Sequence, residues 1–260
     1  DLFLRIAPEL YLKRLLVGGF ERVFELGRVF RNEGLSPRHN PEFTMLEVYL
    51  AFGDYTDMMR LTEQLLCEVA QRVLGGTEVR YRGRVLHLEP PFERVSYTDL
   101  FRQKFGFDVW DEEKVSEAAK KHDIDADWHW DRVDKLFDVA AQEELWGPLF
   151  VMDYPVEMSP LARRKKGNER LVERFELFVG GMEVANAFTE LNDPEEQRIR
   201  FEEQARRVGG QVDRDFLRAL AYAMPPAGGL GIGVDRLVMV LLDLPTIRDA
   251  ILFPTLRLKE

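Results

Sequence analysis

The stretch that decides the fold runs from Glu21 to Ala51, ERVFELGRVFRNEGLSPRHNPEFTMLEVYLA. Its first part, Glu21 to Arg31, carries Val23, Phe24, Leu26, Val29 and Phe30, the branched and aromatic types that suit a pleated surface. Gly34, Ser36, Pro37 and Pro41 then break the run. Beyond the break Leu46, Val48 and Leu50 alternate with Met45, Glu47, Tyr49 and Ala51, which puts a greasy row on one face and a chemically mixed row on the other. Two strands around a polar loop predict a long antiparallel hairpin. The same period of two places Arg31 with Glu33 at the end of the first strand and Phe43, Met45, Glu47 and Tyr49 on one face of the second. An arginine that forks onto a phosphate or carboxylate, a ring that stacks and two carboxylates would suit a nucleotide beside a cationic substrate. A solvated sheet face with an ordinary Arg–Glu pair accounts for the same pattern.

Outward from the hairpin, residues 9–17 and 55–74 space Leu, Met and Val as helices do, with charges between. Residues 111–146, rich in Asp, Glu, Lys, Ala and Trp, predict a helical insertion. Strand signals return at Leu149–Tyr154, Arg174–Val179 and Met182–Glu190, and a polar helix follows from about Glu195 to Arg207. The glycine segment Gly228–Gly233 leads into a last apolar helix, Asp235–Leu242. No repeat or Gly/Ser linker divides the chain. The expectation is one α+β domain over residues 1–260, a mostly antiparallel sheet flanked by helices and carrying the insertion.

Gly180-Gly181 between two strand-like runs predicts a two-residue hairpin turn. In that register Phe178 faces Glu183, which makes Glu176 a same-face diagonal neighbour of Glu183. Two carboxylates that close repel unless a cation joins them, and oxygen ligands of this kind suit Mg²⁺ shared with phosphate oxygens; a wet sheet face with tolerated repulsion is the plain alternative. Asn186, Phe188 and Glu190 alternate onto the face opposite Glu183, so a common site requires a bulge near Val184 or Ala185. The segment around Gly229, Gly231 and Gly233 matches neither the dinucleotide nor the P-loop fingerprint. Alternating glycines instead leave one strand face bare for a flat ligand or another backbone. Arg236 follows in the first turn of a helix, where an anion is favoured and a salt bridge is the ordinary use. The basic run Arg163–Lys166 reads as a solvated loop, and His39 alone of the four histidines falls in a candidate site loop.

Composition bounds the rest. Basic residues number 36 and acidic ones 46, a net charge of −10, which argues against gripping nucleic acid with the whole surface but leaves room for a local basic patch. The lone Cys67 forbids an intrachain disulfide and fits a reducing compartment. The apolar run Leu237–Leu242 is too short to span a bilayer, so no membrane role is expected and a cytoplasmic location is. Starting at Asp1 without an initiator Met, the chain is expected to be a piece of something longer or a processed form.

Four collinear stretches resemble the catalytic domain of class II aminoacyl-tRNA synthetases, most closely the lysyl-tRNA synthetase family. They are RIAPELYLKRLLVGGFERVFELGRVFRNEGLSPRHNPEFTMLEVY (Arg5–Tyr49), DYPVEMSPLARR (Asp153–Arg164), FELFVGGMEVANAFTELNDPEEQ (Phe175–Gln197) and GLGIGVDRLVMVLLDLPTIRDAILFP (Gly229–Pro254). The resemblance implies a ligase that activates L-lysine with ATP and transfers it to tRNA(Lys). It implies Arg31 and Arg236 as the catalytic arginines, with Arg31 holding the ATP α-phosphate and the lysine carboxylate. Glu33 and Asn40 would read adenine stacked between Phe43 and Arg236, and His39 would approach the outer phosphates. Glu176 and Glu183 would anchor Mg²⁺. Glu9 would take the α-ammonium of lysine, Glu47, Tyr49 and Glu190 would surround its ε-ammonium, and Asn186 and Phe188 would line the slot. The family's motif 1, which forms a homodimer, and its anticodon-binding β-barrel both precede the segment that begins here. Two alternatives stay open: a freestanding paralogue that lysylates elongation factor P, and a catalytically silent regulatory module.

Overall fold

The mixed alternation of the opening stretch becomes a nine-pair ladder, from Arg22↔Leu50 to Phe30↔Glu42. In this computed structural model, which describes residues 2–141 and 145–256, helix α1 (Glu9–Val17) precedes the hairpin of β1 (Arg22–Phe30) and β2 (Glu42–Ala51). Helix α2 (Tyr55–Leu74) follows at once. Asp54 caps it, its side chain accepting from the Thr56 and Asp57 amides at 2.8 and 3.1 Å while Asp57 accepts from the Asp54 amide. Gly75, at φ 78°, ends it in the left-handed conformation glycine adopts without strain.

A small hairpin of β3 (Glu78–Tyr81) and β4 (Arg84–His87) comes next, then β5 (Glu93–Ser96) running directly into α3 (Tyr97–Phe105). The predicted insertion contains α4 (Glu112–Lys121) and α5 (His129–Ala141); residues 142–144 of the predicted span lie outside the described residues, and 145–148 are not helical. Strand β6 (Leu149–Met152), the short pair β7 (Arg164–Lys165) and β8 (Asn168–Val172), then β9 (Arg174–Val179) and β10 (Met182–Thr189) complete the middle of the chain. Helices α6 (Pro194–Val208) and α7 (Arg214–Leu220) lead to β11 (Ala227–Gly233), α8 (Val234–Leu241) and α9 (Ile247–Ala250). The apolar helix after the glycines is therefore not the last one.

The main sheet has the order β1-β2-β11-β10-β9-β6-β5. Its neighbours are antiparallel except β5 and β6, which run parallel. Helices α2 and α8 cover one face: Met58, Met59, Leu66, Met239 and Val240 pack with Leu177, Val179 and Ile232 of the strands. On the opposite face, at the β6–β9 side, α3, α4 and α5 bury Tyr97, Phe101, Val115 and Leu136 against Val151 and Phe178. At the β2–β11 side of that face, α1 and α7 bury Leu12, Leu16, Phe216 and Leu220 against Tyr49 and Ala227. Between these two helical covers the middle of the sheet stays open. No helix among the described residues is long and apolar enough to cross a membrane.

Candidate active site

The open part of the sheet is a groove whose floor is glycine. β11 lies between β2 and β10, and its register puts Gly229 beside Tyr49 and Phe188, and Gly231 beside Glu47 and Asn186. Residues directly opposite share a face, so the mixed row of β2 forms one wall and the β10 row the other. Leu46, Val48 and Leu50 point the other way, into the α2/α8 core. The bulge required by the sequence is present: the β9–β10 register slips between Glu183 and Ala185, which turns Asn186 and Phe188 onto the face of Glu183. The β9–β10 turn is Gly180-Gly181, both at positive φ (63° and 71°), as a type I′ hairpin needs.

The resulting cavity, about 270 Å³, is lined by Glu9, Arg31, Glu33, His39, Asn40, Phe43, Glu47, Tyr49, Glu183, Asn186, Phe188, Glu190 and Arg236. The structure thus gathers every sequence-derived candidate except Glu176 into one space. Arg38 and Asp235, which the sequence reading passed over, line it too. β1 ends at Phe30, so Arg31 and Glu33 stand just past the strand, although the Arg31 amide still donates across to Pro41 at 2.9 Å.

One end of the groove is acidic and dry. A Cβ at Gly229 would overlap Glu190 Oε1 and stand 2.6 Å from Tyr49 Cε1, so the bare glycine is what lets both side chains fold over the strand. The Tyr49 hydroxyl donates to Glu47 Oε2 at 3.1 Å. Burial and the neighbouring Glu9 push the Glu47 carboxyl up to about 7, against the pull of Tyr49, Arg31 and Lys13. Glu190 has a fully buried side chain; burial pushes it up to about 8, with Lys13 pulling down and Glu9 and Glu47 pushing further up. Among the described residues neither of its oxygens has a hydrogen-bond partner; Oε2 is held by an ion pair alone and Oε1 by nothing charged. Lys13 is also missed by the sequence reading. Its ammonium, fully buried, stands 2.6 Å from Glu9 Oε1 and 2.5 Å from Glu190 Oε2. Its only sequence signal is the i,i+4 spacing from Glu9, which on a helix surface ordinarily marks a solvated pair.

The other end is cationic and aromatic. Arg31 stacks its guanidinium over Phe43, 5.3 Å from the ring centre, and donates to the Ile6 carbonyl at 3.1 Å. Arg236, in the first turn of α8, donates to the Glu183 carbonyl at 2.8 Å and to its carboxylate at 3.3 Å. His39 Nδ1 meets Ser36 Oγ at 2.9 Å; burial, then the Arg236 charge, holds its pKa below the usual imidazole value, which keeps it neutral near pH 7. Asn40 donates to the Glu42 carbonyl at 2.6 Å and keeps a buried, unpartnered Oδ1. Asp235 accepts from the Thr44 amide at 2.5 Å and so ties the start of α8 to β2.

Glu176 of β9 is paired directly with Asn186 of β10, because the bulge inserts Val184 between the partners of Phe178 and Leu177. It borders a second cleft beside α5 and α6 and accepts from Arg174 Nη2 at 2.6 Å. Burial and the charge of Glu183 push its pKa well above the carboxylate range despite Arg174. A shared hard cation would relieve that mutual repulsion, and paired carboxylates are the oxygen donors such a cation takes. Among the described residues no group of three or more His, Cys, Asp or Glu forms a metal cage. In the second cleft Arg164, Arg174, Arg200 and Arg207 are each committed to a carboxylate.

An antiparallel sheet with a glycine-floored groove, an arginine after the first hairpin strand and another opening the helix behind β11 matches the family model described as tRNA synthetases class II (D, K and N) over residues 1–257, and the chain belongs to that family. Within it, the chain is 50% identical over 271 residues to the lysine--tRNA ligase of Prochlorococcus marinus (strain MIT 9211), covering 99% of this chain and 54% of that protein. It is 51% identical over 273 residues to the lysine--tRNA ligase of Moorella thermoacetica (100% and 56%) and 49% identical over 272 residues to that of Thermotoga maritima (100% and 54%). The chain spans about half the length of the curated relatives it matches.

Proposed function

We propose that this chain activates L-lysine with ATP and that its parent transfers the lysyl group to tRNA(Lys), with residues 1–260 acting as one catalytic unit. The observation that carries the reading is the division of the groove: the carboxylates Glu9, Glu47 and Glu190 at one end, and at the other Arg31, Phe43 and Arg236 together with Glu33 and Glu183. A zwitterion with a second ammonium and a nucleotide triphosphate are complementary to those two ends.

In this reading Glu190, Glu47 and Tyr49 take the ε-ammonium, Glu9 takes the α-ammonium, and Asn186 and Phe188 line the aliphatic stem. A buried ammonium is costly without a carboxylate, which separates lysine from apolar amino acids. Phe43 and Arg236 sandwich adenine, Glu33 and Asn40 read its edge, and His39 and Arg236 meet the outer phosphates. Arg31 bridges the lysine carboxylate and the α-phosphate. A carboxylate oxygen forms the new bond to the α-phosphorus, the bond to the bridging oxygen breaks, and pyrophosphate leaves; Arg31 neutralises the charge that spreads over the phosphoryl oxygens. Glu176 and Glu183 would hold Mg²⁺, whose charge would offset that of the phosphates. The parent is a cytoplasmic homodimer in this reading, supported by the exposed Phe24 and Leu26 on edge strand β1 and the exposed Phe20 before it.

The test is amino-acid-dependent ATP/pyrophosphate exchange. Exchange with lysine and not with leucine is expected, and equal exchange with both would defeat the slot. With exchange present, charging of tRNA(Lys) rather than of elongation factor P is the expected acceptor result.

A further inference from the structure

Lys13 lies behind the acidic end of the groove, and no substrate role in the reading above uses it. A lysine with no exposed side-chain surface is costly to keep charged unless paired. Burial alone would lower its pKa, yet Glu190 and Glu9 more than offset that and hold it up at about 12. The ammonium donates a hydrogen bond to Glu9 Oε1, forms an ion pair with Glu190 Oε2 at 2.5 Å, and sits 5.3 Å over the Phe188 ring. Each carboxylate therefore has one oxygen held against the Lys13 charge. The other oxygen of Glu190, Oε1, is buried, unpartnered and held beside Gly229.

Charge makes the same point. Glu190 is pressed by Glu9 and Glu47 and drawn toward ionisation by Lys13, so without Lys13 it would be harder to ionise.

Resting on the proposed lysine activation, we propose that Lys13 is a positioning and specificity-determining residue: its ammonium holds one oxygen each of Glu190 and Glu9, leaves Glu190 Oε1 for the ε-ammonium of the substrate, and keeps the negative charge of Glu190 in place to receive it. The groups facing Glu190 are Lys13 and Glu9 from α1 and Glu47 and Tyr49 from β2. Of these Lys13 alone favours the ionised form. Below the pKa of Glu190 the carboxylate is protonated and cannot pair with an ammonium, so lysine affinity falls as pH falls. Removing Lys13 moves that loss to higher pH.

The experiment measures L-lysine binding by calorimetry and lysine-dependent exchange between pH 6.5 and 9 for the parent, Lys13→Met and Lys13→Arg. Lys13→Met is expected to weaken lysine binding at pH 7.5 by about tenfold or more, the effect of one pH unit in the ionisation of one carboxylate. Its ATP requirement should stay near parental, and its pH midpoint for lysine binding should move up by about one unit. Lys13→Arg keeps the charge and should keep the parental midpoint even where its bulk weakens binding. Parental lysine binding and midpoint in Lys13→Met would overturn the proposal while exchange by the parent left the activation reading standing. Should Lys13→Met fail to fold, a raised midpoint in Lys13→Arg overturns it. A parent that binds lysine with the Lys13-dependent midpoint yet performs no exchange sinks the activation reading alone, and no lysine binding at all sinks both.

Discussion

Arg31 acts at the smallest scale of the site, because it stands one residue past the end of β1 and is held by single contacts. Its amide continues the β1–β2 ladder one pair beyond the strand, its Nε is tied to the Ile6 carbonyl, and its guanidinium rests on Phe43. Nε is thereby spent on orientation and Nη2 rests 3.9 Å from Met45 Sδ, so the fork is held in place at the groove. A charge held in advance where charge develops stabilises a transition state more than a ground state. Arg31→Ala is therefore expected to slow adenylate formation by roughly 10² or more, the scale of losing one preorganised donor, with ATP binding much less affected. Single-turnover exchange against ATP affinity separates the two. A parental rate in the substituted protein would remove Arg31 from the chemistry.

At the scale of elements, what was legible in the sequence was local. The β1–β2 hairpin and the Gly180-Gly181 turn follow from alternation and turn residues within some thirty positions, whereas a bulge near Val184 or Ala185 follows only if Asn186, Phe188 and Glu190 share a site with Glu183; all three features are present. The parallel β5–β6 pair is not local: it brings Glu93–Ser96 beside Leu149–Met152 across three helices, and four-residue strands leave too little pattern to foresee it. Lys13 was illegible for the same reason, since its burial depends on α1 docking over the β2–β11 end of the sheet against α7. Glu176 was legible as a carboxylate near Glu183, but its arginine partner and its place in the second cleft were not. The alternating glycines of β11 divide into two uses. Gly229 is covered by Glu190 and Tyr49, whereas an added Cβ at Gly231 would meet nothing nearer than 3.8 Å. Gly229→Ala is expected to destabilise the protein by about 1–3 kcal/mol, as overpacking does, and to abolish the thermal shift caused by lysine. Gly231→Ala should stay within about 0.5 kcal/mol of the parent in the absence of ligands and lose affinity only for what lies over that bare face. Thermal unfolding with and without lysine and ATP checks both; a lysine response retained by Gly229→Ala would show that Glu190 does not need the bare strand.

For the molecule as a whole, the acidic end of the groove makes stability depend on pH in a direction that can be worked out. Glu47 and Glu190 titrate near 7 and 8 in the folded chain against 4.5 when free, and Glu176 is raised as well. Between the free value and the raised one the folded state holds the proton and the unfolded state does not, so the free energy of unfolding falls as pH rises, by up to about 1.4 kcal/mol per pH unit for each group. Lys13 has the same sign of linkage in a different window: its raised pKa contributes stability present below the free value of 10.5 and lost only as pH rises through about 12, so it is silent near neutrality. His39, with its lowered pKa, costs stability only as pH falls below the free value of 6.5. The window from pH 6.5 to 8 therefore isolates the carboxylates, and the unliganded protein is expected to melt at progressively lower temperature across it. Saturating lysine should flatten or reverse the slope, because an ammonium in the slot rewards the ionised carboxylates that burial alone disfavours. Glu190→Gln should flatten the unliganded slope and remove the response to lysine together. Melting curves at half-unit pH steps decide the matter: a parental melting temperature that climbs from pH 6.5 to 8 would mean that these carboxylates are ionised and satisfied without substrate, and the slot would then have no stored preference for a second ammonium.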